Sequence, residues 1–225
     1  VRPYYEQDGI TIYHGDCREV LPEVWFGVDL LLTDPPYGMN YKPLRGADGS
    51  KRFSDGVCGD AEAFDPTHLL CAPRCVLFGA NWYANKLPAS GGWIVWDKTP
   101  RDKKIGFIAS DAELAWTNLA TRIHKFSMQW GGEAHGGEDH LHPTQKPVAL
   151  MRWIIQQWTQ PDQLVLDPYM GSGPVLVAAH ELSRRAIGIE IEERYCEIAA
   201  KRLAQGVLSL QPIIDQPQEE LPCTS

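Results

Sequence analysis

No stretch of this chain is apolar for long enough to cross a bilayer, and no N-terminal run has the pattern of a secretory signal. No membrane partner is therefore expected. The six cysteines, at 17, 58, 71, 75, 196 and 223, lack the paired spacing of a zinc site or a disulfide framework. That spacing argues for a reduced, cytoplasmic setting and against a structural metal. Positive charge is also scarce: 21 Lys and Arg stand against 29 Asp and Glu, for a net charge of −8. A protein that coats nucleic acid through overall charge is excluded, because polyanion binding needs a positive surface. There is no internal repeat. No Gly-x-Gly-x-x-Gly run is present either, which disfavours a nicotinamide cofactor.

What is there reads as one α/β domain. A chain of 225 residues, 44% hydrophobic and 22% charged, has material for one core. The basic residues are grouped: Lys42, Arg45, Lys51 and Arg52 in one Gly-rich stretch, and Lys98, Arg101, Lys103 and Lys104 in another. Acids gather elsewhere, at Glu190, Glu192, Glu193 and Glu197 and at Asp215, Glu219 and Glu220. An acidic body with basic loops can hold DNA locally; ordinary solvated loops are the alternative.

Short apolar runs alternate with amphipathic stretches. Strands are expected at 10–13, 28–33, 75–78, 93–96, 163–166 and 186–189, with helices at 18–25, 61–71, 147–158, 174–182 and 192–203. Residues 113–116 and 123–126 read as an antiparallel pair at the edge. Residues 38–59, rich in Gly, Ser, Asp and Lys, read as a long flexible loop placed to touch DNA. The domain is expected to span 1–205, with a loose tail over 206–225. Alternation of this kind implies a three-layer, doubly wound, mostly parallel sheet. Ligands in such folds sit beyond the C-terminal ends of the strands, where Asp34, Asp97, Asp167 and Glu190 fall.

Two segments carry chemistry. Asp167-Pro168-Tyr169-Met170-Gly171-Ser172-Gly173 follows one expected strand and opens a helix. Its glycines let backbone approach a ligand, and the helix start favours a negative group. Glu190, at the end of the next strand with Ile191 after it, suits the two hydroxyls of a ribose. A tight turn without a ligand is the bland alternative. The other segment, Asp34-Pro35-Pro36-Tyr37, follows the apolar run 28–33. Two prolines fix φ and remove two N–H donors, so the Asp34 carboxylate and a backbone carbonyl can both accept from one NH₂ group. With both protons engaged, the amine lone pair stays on nitrogen. Tyr37 offers a face on which a base can stack, a contact of about 1–3 kcal/mol.

Together these motifs resemble the DNA amino-methyltransferases that act on adenine N6 or cytosine N4. The catalytic segment precedes the cofactor segment, which is similar to the circularly permuted beta group. His142-Pro143-Thr144-Gln145-Lys146-Pro147 matches that group's further cofactor motif, and Gly15-Asp16-Cys17 its segment after the ribose-binding strand. The resemblance runs over about residues 9 to 204. It implies a Rossmann-like, S-adenosylmethionine-dependent methyltransferase fold, circularly permuted. It further implies that Asp34 and the Pro35 carbonyl hold the target amine beside Pro36, while Tyr37 stacks on a flipped base. The cofactor would be lined by Asp167, Pro168, Tyr169, Gly171, Ser172, Gly173 and Asp34. Glu190 and Ile191 would lie at its ribose, Asp16 and Cys17 near its adenine, and His142, Thr144 and Lys146 at its methionine end.

DNA and S-adenosylmethionine are then the expected partners, with a homodimer left open and a bacterial or phage restriction-modification setting. Asp at the head of the motif favours adenine, since Ser is more usual in N4-cytosine members. The interval 127–141 is too short for a folded recognition module, so short or relaxed sequence specificity is expected, or recognition by the 38–59 loop or by a partner. His135, His140 and His142 with Glu138 and Asp139 resemble a metal cluster only superficially, because methyl transfer from a sulfonium needs no metal. Rival readings are an RNA or protein amide methyltransferase, separable by substrate assay, and a catalytically silent binding subunit, separable by turnover.

Overall fold

The computed structural model describes residues 1–41, 56–70, 72–99, 110–129, 141–142 and 144–210. In chain order the elements are β1 (Tyr5–Gln7), β2 (Ile10–His14), α1 (Cys17–Val24), β3 (Leu30–Thr33), β4 (Cys75–Phe78) and β5 (Gly92–Asp97). They continue with β6 (Ala112–Thr117), β7 (Ile123–Ser127), α2 (Val148–Trp158), β8 (Leu164–Asp167), α3 (Pro174–Glu181), β9 (Arg185–Glu190) and α4 (Glu193–Leu210). The strands form one sheet in the order β1-β2-β9-β8-β3-β4-β6-β5-β7. Only β1 and β6 run against the rest among these strands.

The central strands are continuous apolar runs because both faces are covered. In β3, β4 and β8 every residue is buried. Alternate residues go to opposite sides: Leu30 and Leu32 join a core with Leu150, Ile154, Leu176 and Leu203, whereas Leu31 joins one with Val20, Leu69 and Tyr83. Helices α2, α3 and α4 therefore cover one face, and α1 with the segment after β4 covers the other. This is the expected three-layer α/β sheet, with the residues of the first chemical segment preceding those of the second along the chain.

Three expectations are corrected. Residues 113–116 and 123–126 do not pair with each other, because β5 lies between their strands: β6 pairs antiparallel with β5, and β7 pairs parallel with β5. An antiparallel hairpin does form an edge of the sheet, but it is β1–β2. Its turn places Asp8 at φ 49 and Gly9 at φ 78, the left-handed pair that matches strand twist. Of the stretch 61–71 expected to be helical, the described residues 61–70 contain one 3₁₀ turn at Thr67–Leu69 rather than an α-helix. Pro66 disfavours helical geometry at Asp65, whose carboxylate instead accepts from the Thr67 amide at 3.0 Å. Finally, α4 continues to Leu210, past the expected end at 203 and into the stretch expected to be a tail. The remainder of that tail, most of the 38–59 loop and the histidines at 135 and 140 lie outside the described residues.

Candidate active site

Strands β3, β8 and β9 are adjacent and parallel, so their C-terminal ends open on the same side. Asp34 follows β3, Asp167 ends β8 and Glu190 ends β9. The Thr33 hydroxyl donates to Asp167 Oδ1 at 2.6 Å, tying the first two ends together. Asp167 is 2% exposed, and burial pushes its carboxyl up to about 7 despite hydrogen bonds from Thr33 and from the Tyr169 amide.

The Asp34 carboxylate is held from both sides. Its Oδ1 accepts from the Tyr37 hydroxyl, and its Oδ2 is ion-paired with Lys146. Burial raises the Asp34 pKa, with Lys146 opposing the shift and Glu113 adding to it. Lys146 also lies 3.1 Å from Glu113 Oε2, at ion-pair distance but off the hydrogen-bond direction, and Glu113 is paired in turn with Lys98. Burial alone would lower the Lys146 pKa; the two carboxylates reverse that and raise it. Burial would likewise raise Glu113, but Lys146 and Lys98 bring it down.

Tyr37 lies flat against the backbone just beyond β4. A Cβ on Gly79 would come within 1.9 Å of the Tyr37 ring, so only glycine leaves room for it. Gly79 also has φ +67, which glycine adopts without strain. The chain after Tyr37 is gathered by Asp60, 4% exposed. Its Oδ1 accepts from Gly38 at 2.7 Å and its Oδ2 from Tyr41 at 2.6 Å.

A cavity of about 860 Å³ opens above these strand ends. Asp16, Cys17, Asp34, Pro35, Pro36, Tyr37, His142, Thr144, Pro168, Tyr169, Gly171, Glu190 and Ile191 all line it. Asp167, Lys146 and Ser172 lie around a separate void of about 30 Å³, which Asp34 and Gly171 also touch. Gly173 lines neither; it caps α3 at φ 77, and a Cβ there would sit 2.9 Å from Ala199 on α4. It shapes the turn and lets α3 approach α4.

Two assignments from the sequence look different in the fold. Lys146, expected at the methionine end of a cofactor, has its ammonium committed to Asp34 and Glu113. Glu190, expected at a ribose, also braces the glycine turn: its carboxylate accepts from the Gly171 amide at 2.9 Å and the Glu192 amide at 2.8 Å. Asp16 caps α1 by accepting from the Arg18 amide at 2.9 Å. Burial raises its pKa, but the bonds from Arg18 outweigh that and lower it.

A family model described as DNA methylase, of the N6/N4 methyltransferase type, matches residues 97–201. Type II methyltransferase M2.DpnII of Streptococcus pneumoniae is 42% identical over 250 residues, spanning 90% of this chain and 92% of its own length. This chain belongs to the N6-adenine/N4-cytosine DNA methyltransferase family. The crystal structure of the M1.HpyAVI–SAM complex matches with a TM-score of 0.54 at 26% identity, over 86% of this chain and 98% of that one. PvuII DNA methyltransferase, described as cytosine-N4-specific, shares the fold with a TM-score of 0.59 at 18% identity, over 89% of this chain and 88% of its own.

Within this methyltransferase, several site residues lie outside the two chemical segments. Glu113 and Lys98 sit on and beside antiparallel strands with no motif around them. Asp60 looks like one more loop acid. Gln145 joins two motifs, its Oε1 accepting from the Ser172 hydroxyl and the Leu141 amide, both at 3.0 Å. His68, on the cavity wall, lies 2.9 Å from the Tyr169 hydroxyl. Of these, only Gln145 stands inside a recognisable motif. Among the described residues no group of His, Cys, Asp and Glu could hold a metal ion, and no helix is long and apolar enough to cross a membrane.

Proposed function

We propose that this chain transfers a methyl group from S-adenosylmethionine to the N6 amine of adenine in DNA, on a base rotated out of the duplex. One observation carries the reading: Asp34 and Tyr37 line the same cavity as Asp16, Gly171 and Glu190. The volume, about 860 Å³, lies toward the upper end of ordinary ligand sites, ~300–1,000 Å³, and leaves space for a cofactor and a base side by side.

The residues present fit the cofactor. Acidic Asp16 and Glu190 suit amino and hydroxyl donors, and Gly171 brings backbone to the wall without a side chain; a Cβ there would meet the His142 ring at 3.5 Å. When bound, S-adenosylmethionine supplies a sulfonium methyl carbon as the electrophile. Asp34 and the Pro35 carbonyl accept the two N–H bonds of the target amine, which keeps its lone pair on nitrogen and aimed. To receive an amine, Asp34 must give up the hydrogen bond it now takes from Tyr37, which frees the phenol ring to stack on the base. The proton released from the methylated nitrogen is taken up at the Asp34 carboxylate. Rotating the base out costs a few kcal/mol, and the protein contributes positioning and fixed charge rather than a covalent adduct.

N4-cytosine is the second reading, because the PvuII enzyme shares the fold. Asp at position 34, where Ser is more usual in N4-cytosine members, favours adenine. Incubation of cofactor carrying a labelled methyl group with duplex DNA, RNA and protein in parallel, followed by digestion of the labelled polymer, tests the choice. N6-methyladenine is expected; label confined to N4-methylcytosine, to RNA or to protein would overturn it.

A further inference from the structure

Glu113 reaches the same ammonium as Asp34, although it stands on β6, the strand that runs against both its neighbours. The Lys146 side chain is 5% exposed, and those of Asp34 and Glu113 are 18% and 23% exposed. Lys98 closes the far end by pairing with Glu113 Oε1. Charges of alternating sign thus run Asp34, Lys146, Glu113, Lys98, and the chain is neutral as a whole. The other groups facing it are the Tyr37 hydroxyl, 3.3 Å from Lys146 Nζ, the rings of Tyr37 and Phe78, and more distantly Tyr83 and Asp167.

An ammonium has three donors and no acceptor. Directed wholly at Asp34, it would fill the acceptor sites that an incoming NH₂ needs. Removed altogether, it would leave two partly buried carboxylates that had been near enough to share it, and one of such a pair binds a proton more readily. A protonated Asp34 donates where it must accept. We propose that Lys146 is a shared counter-ion keeping Asp34 an ionised acceptor, and that Glu113 is a positioning residue holding part of that ammonium away from Asp34. This rests on the reading of Asp34 as the residue that holds the target amine.

The test uses the full chain and the variants Lys146→Met, Glu113→Gln and the double variant. Two quantities are followed against pH: the Asp34 carboxyl, by NMR of ¹³C-labelled aspartate without substrate, and kcat for DNA methylation. Loss of Lys146 should move the Asp34 titration and the acid limb of kcat up by about one pH unit or more, the usual effect of losing a close opposite charge. Glu113→Gln should move both down, since a like charge is gone. The double variant should fall between, a partial rescue that a merely structural tie between β6 and the 144–147 segment does not produce. If the Asp34 titration is unmoved in Glu113→Gln, which keeps the side chain's shape, the shared counter-ion is wrong. It is wrong too if all variants lose kcat equally at every pH with no displaced limb. Displaced NMR titrations with an undisplaced kcat limb would support the counter-ion and overturn Asp34 as the amine acceptor, so the two failures are distinct.

Discussion

The Thr33 hydroxyl and the Asp167 carboxylate meet at 2.6 Å, and through them two halves of the site are joined. Thr33 immediately precedes the residue proposed to hold the amine, and Asp167 opens the glycine turn proposed to hold the cofactor. Both are buried. The two proposed half-sites are thus tied at the ends of two neighbouring strands of one sheet.

Asp34→Ala should abolish methylation while leaving cofactor binding intact. Loss of one preorganised acceptor of this kind costs about 10²–10³-fold in kcat. Methyl incorporation and calorimetric titration with S-adenosylmethionine read the two effects separately. A near-normal kcat would mean that another group holds the amine.

Glu190 both faces the cavity and accepts two backbone amides. Glu190→Ala should weaken cofactor binding before it affects turnover, and should also lower Tm, because each buried amide left unpaired costs about 1–3 kcal/mol. Glu190→Gln, which keeps one acceptor oxygen, should recover part of the Tm but less of the affinity. Equal recovery of both would reduce Glu190 to a brace for the turn.

Tyr37 has two separable parts. Tyr37→Phe keeps the ring and frees Asp34 Oδ1, so kcat should stay within a fewfold of the parent. Tyr37→Ala also removes the stacking face, a loss of about 1–3 kcal/mol seen chiefly in KM for DNA. Identical kinetics for the two variants would rule out stacking.

Trp82 is 54% exposed, in a turn closed by its amide on the Gly79 carbonyl at 2.9 Å. Gly79 packs against the Tyr37 ring, so the turn that carries Trp82 adjoins the residue proposed to stack on the base. Trp82→Ala should raise KM for DNA by an amount corresponding to about 1–3 kcal/mol, with unchanged affinity for S-adenosylmethionine. Unaltered DNA kinetics would leave Trp82 as a bystander.

Asp167 carries a pH signature in stability. Its carboxyl is raised from 3.8 to about 7 by burial, so the folded state holds the proton more tightly than the unfolded chain. That contribution is complete below about pH 4 and is lost as pH rises through about 7. Asp167→Asn cannot ionise, so the fall in Tm of the unliganded protein across that window should shrink. Thermal unfolding at a series of pH values checks this; an undiminished fall would assign the dependence to other groups.

Much of the frame was legible because the central strands are apolar up to their last residue or throughout, as in LLLT, CVLF and LVLD, a pattern that suits a sheet covered on both faces. The proline-stiffened Asp34 segment and the glycine turn at 171–173 were legible because backbone geometry demands those residue types. Sheet order was harder. Adjacent strands in sequence tend to pair, yet β5 displaces β7 from β6, a choice made by long-range packing. The partners of Lys146 were hidden for the same reason: Glu113 lies in a strand whose local pattern has no reason to name its ion pair. Likewise, the inward pose of Tyr37 depends on the missing side chain of Gly79, distant in sequence.

Asp60 clasps the main chain on the near side of the 38–59 segment, while its own amide donates to the Val57 carbonyl at 3.3 Å on the far side. One carboxylate therefore closes the neck of the insertion. The backbone leaving β3 is thereby tied down at Gly38 and Tyr41, so a displacement farther along that segment meets this clasp before it reaches Asp34.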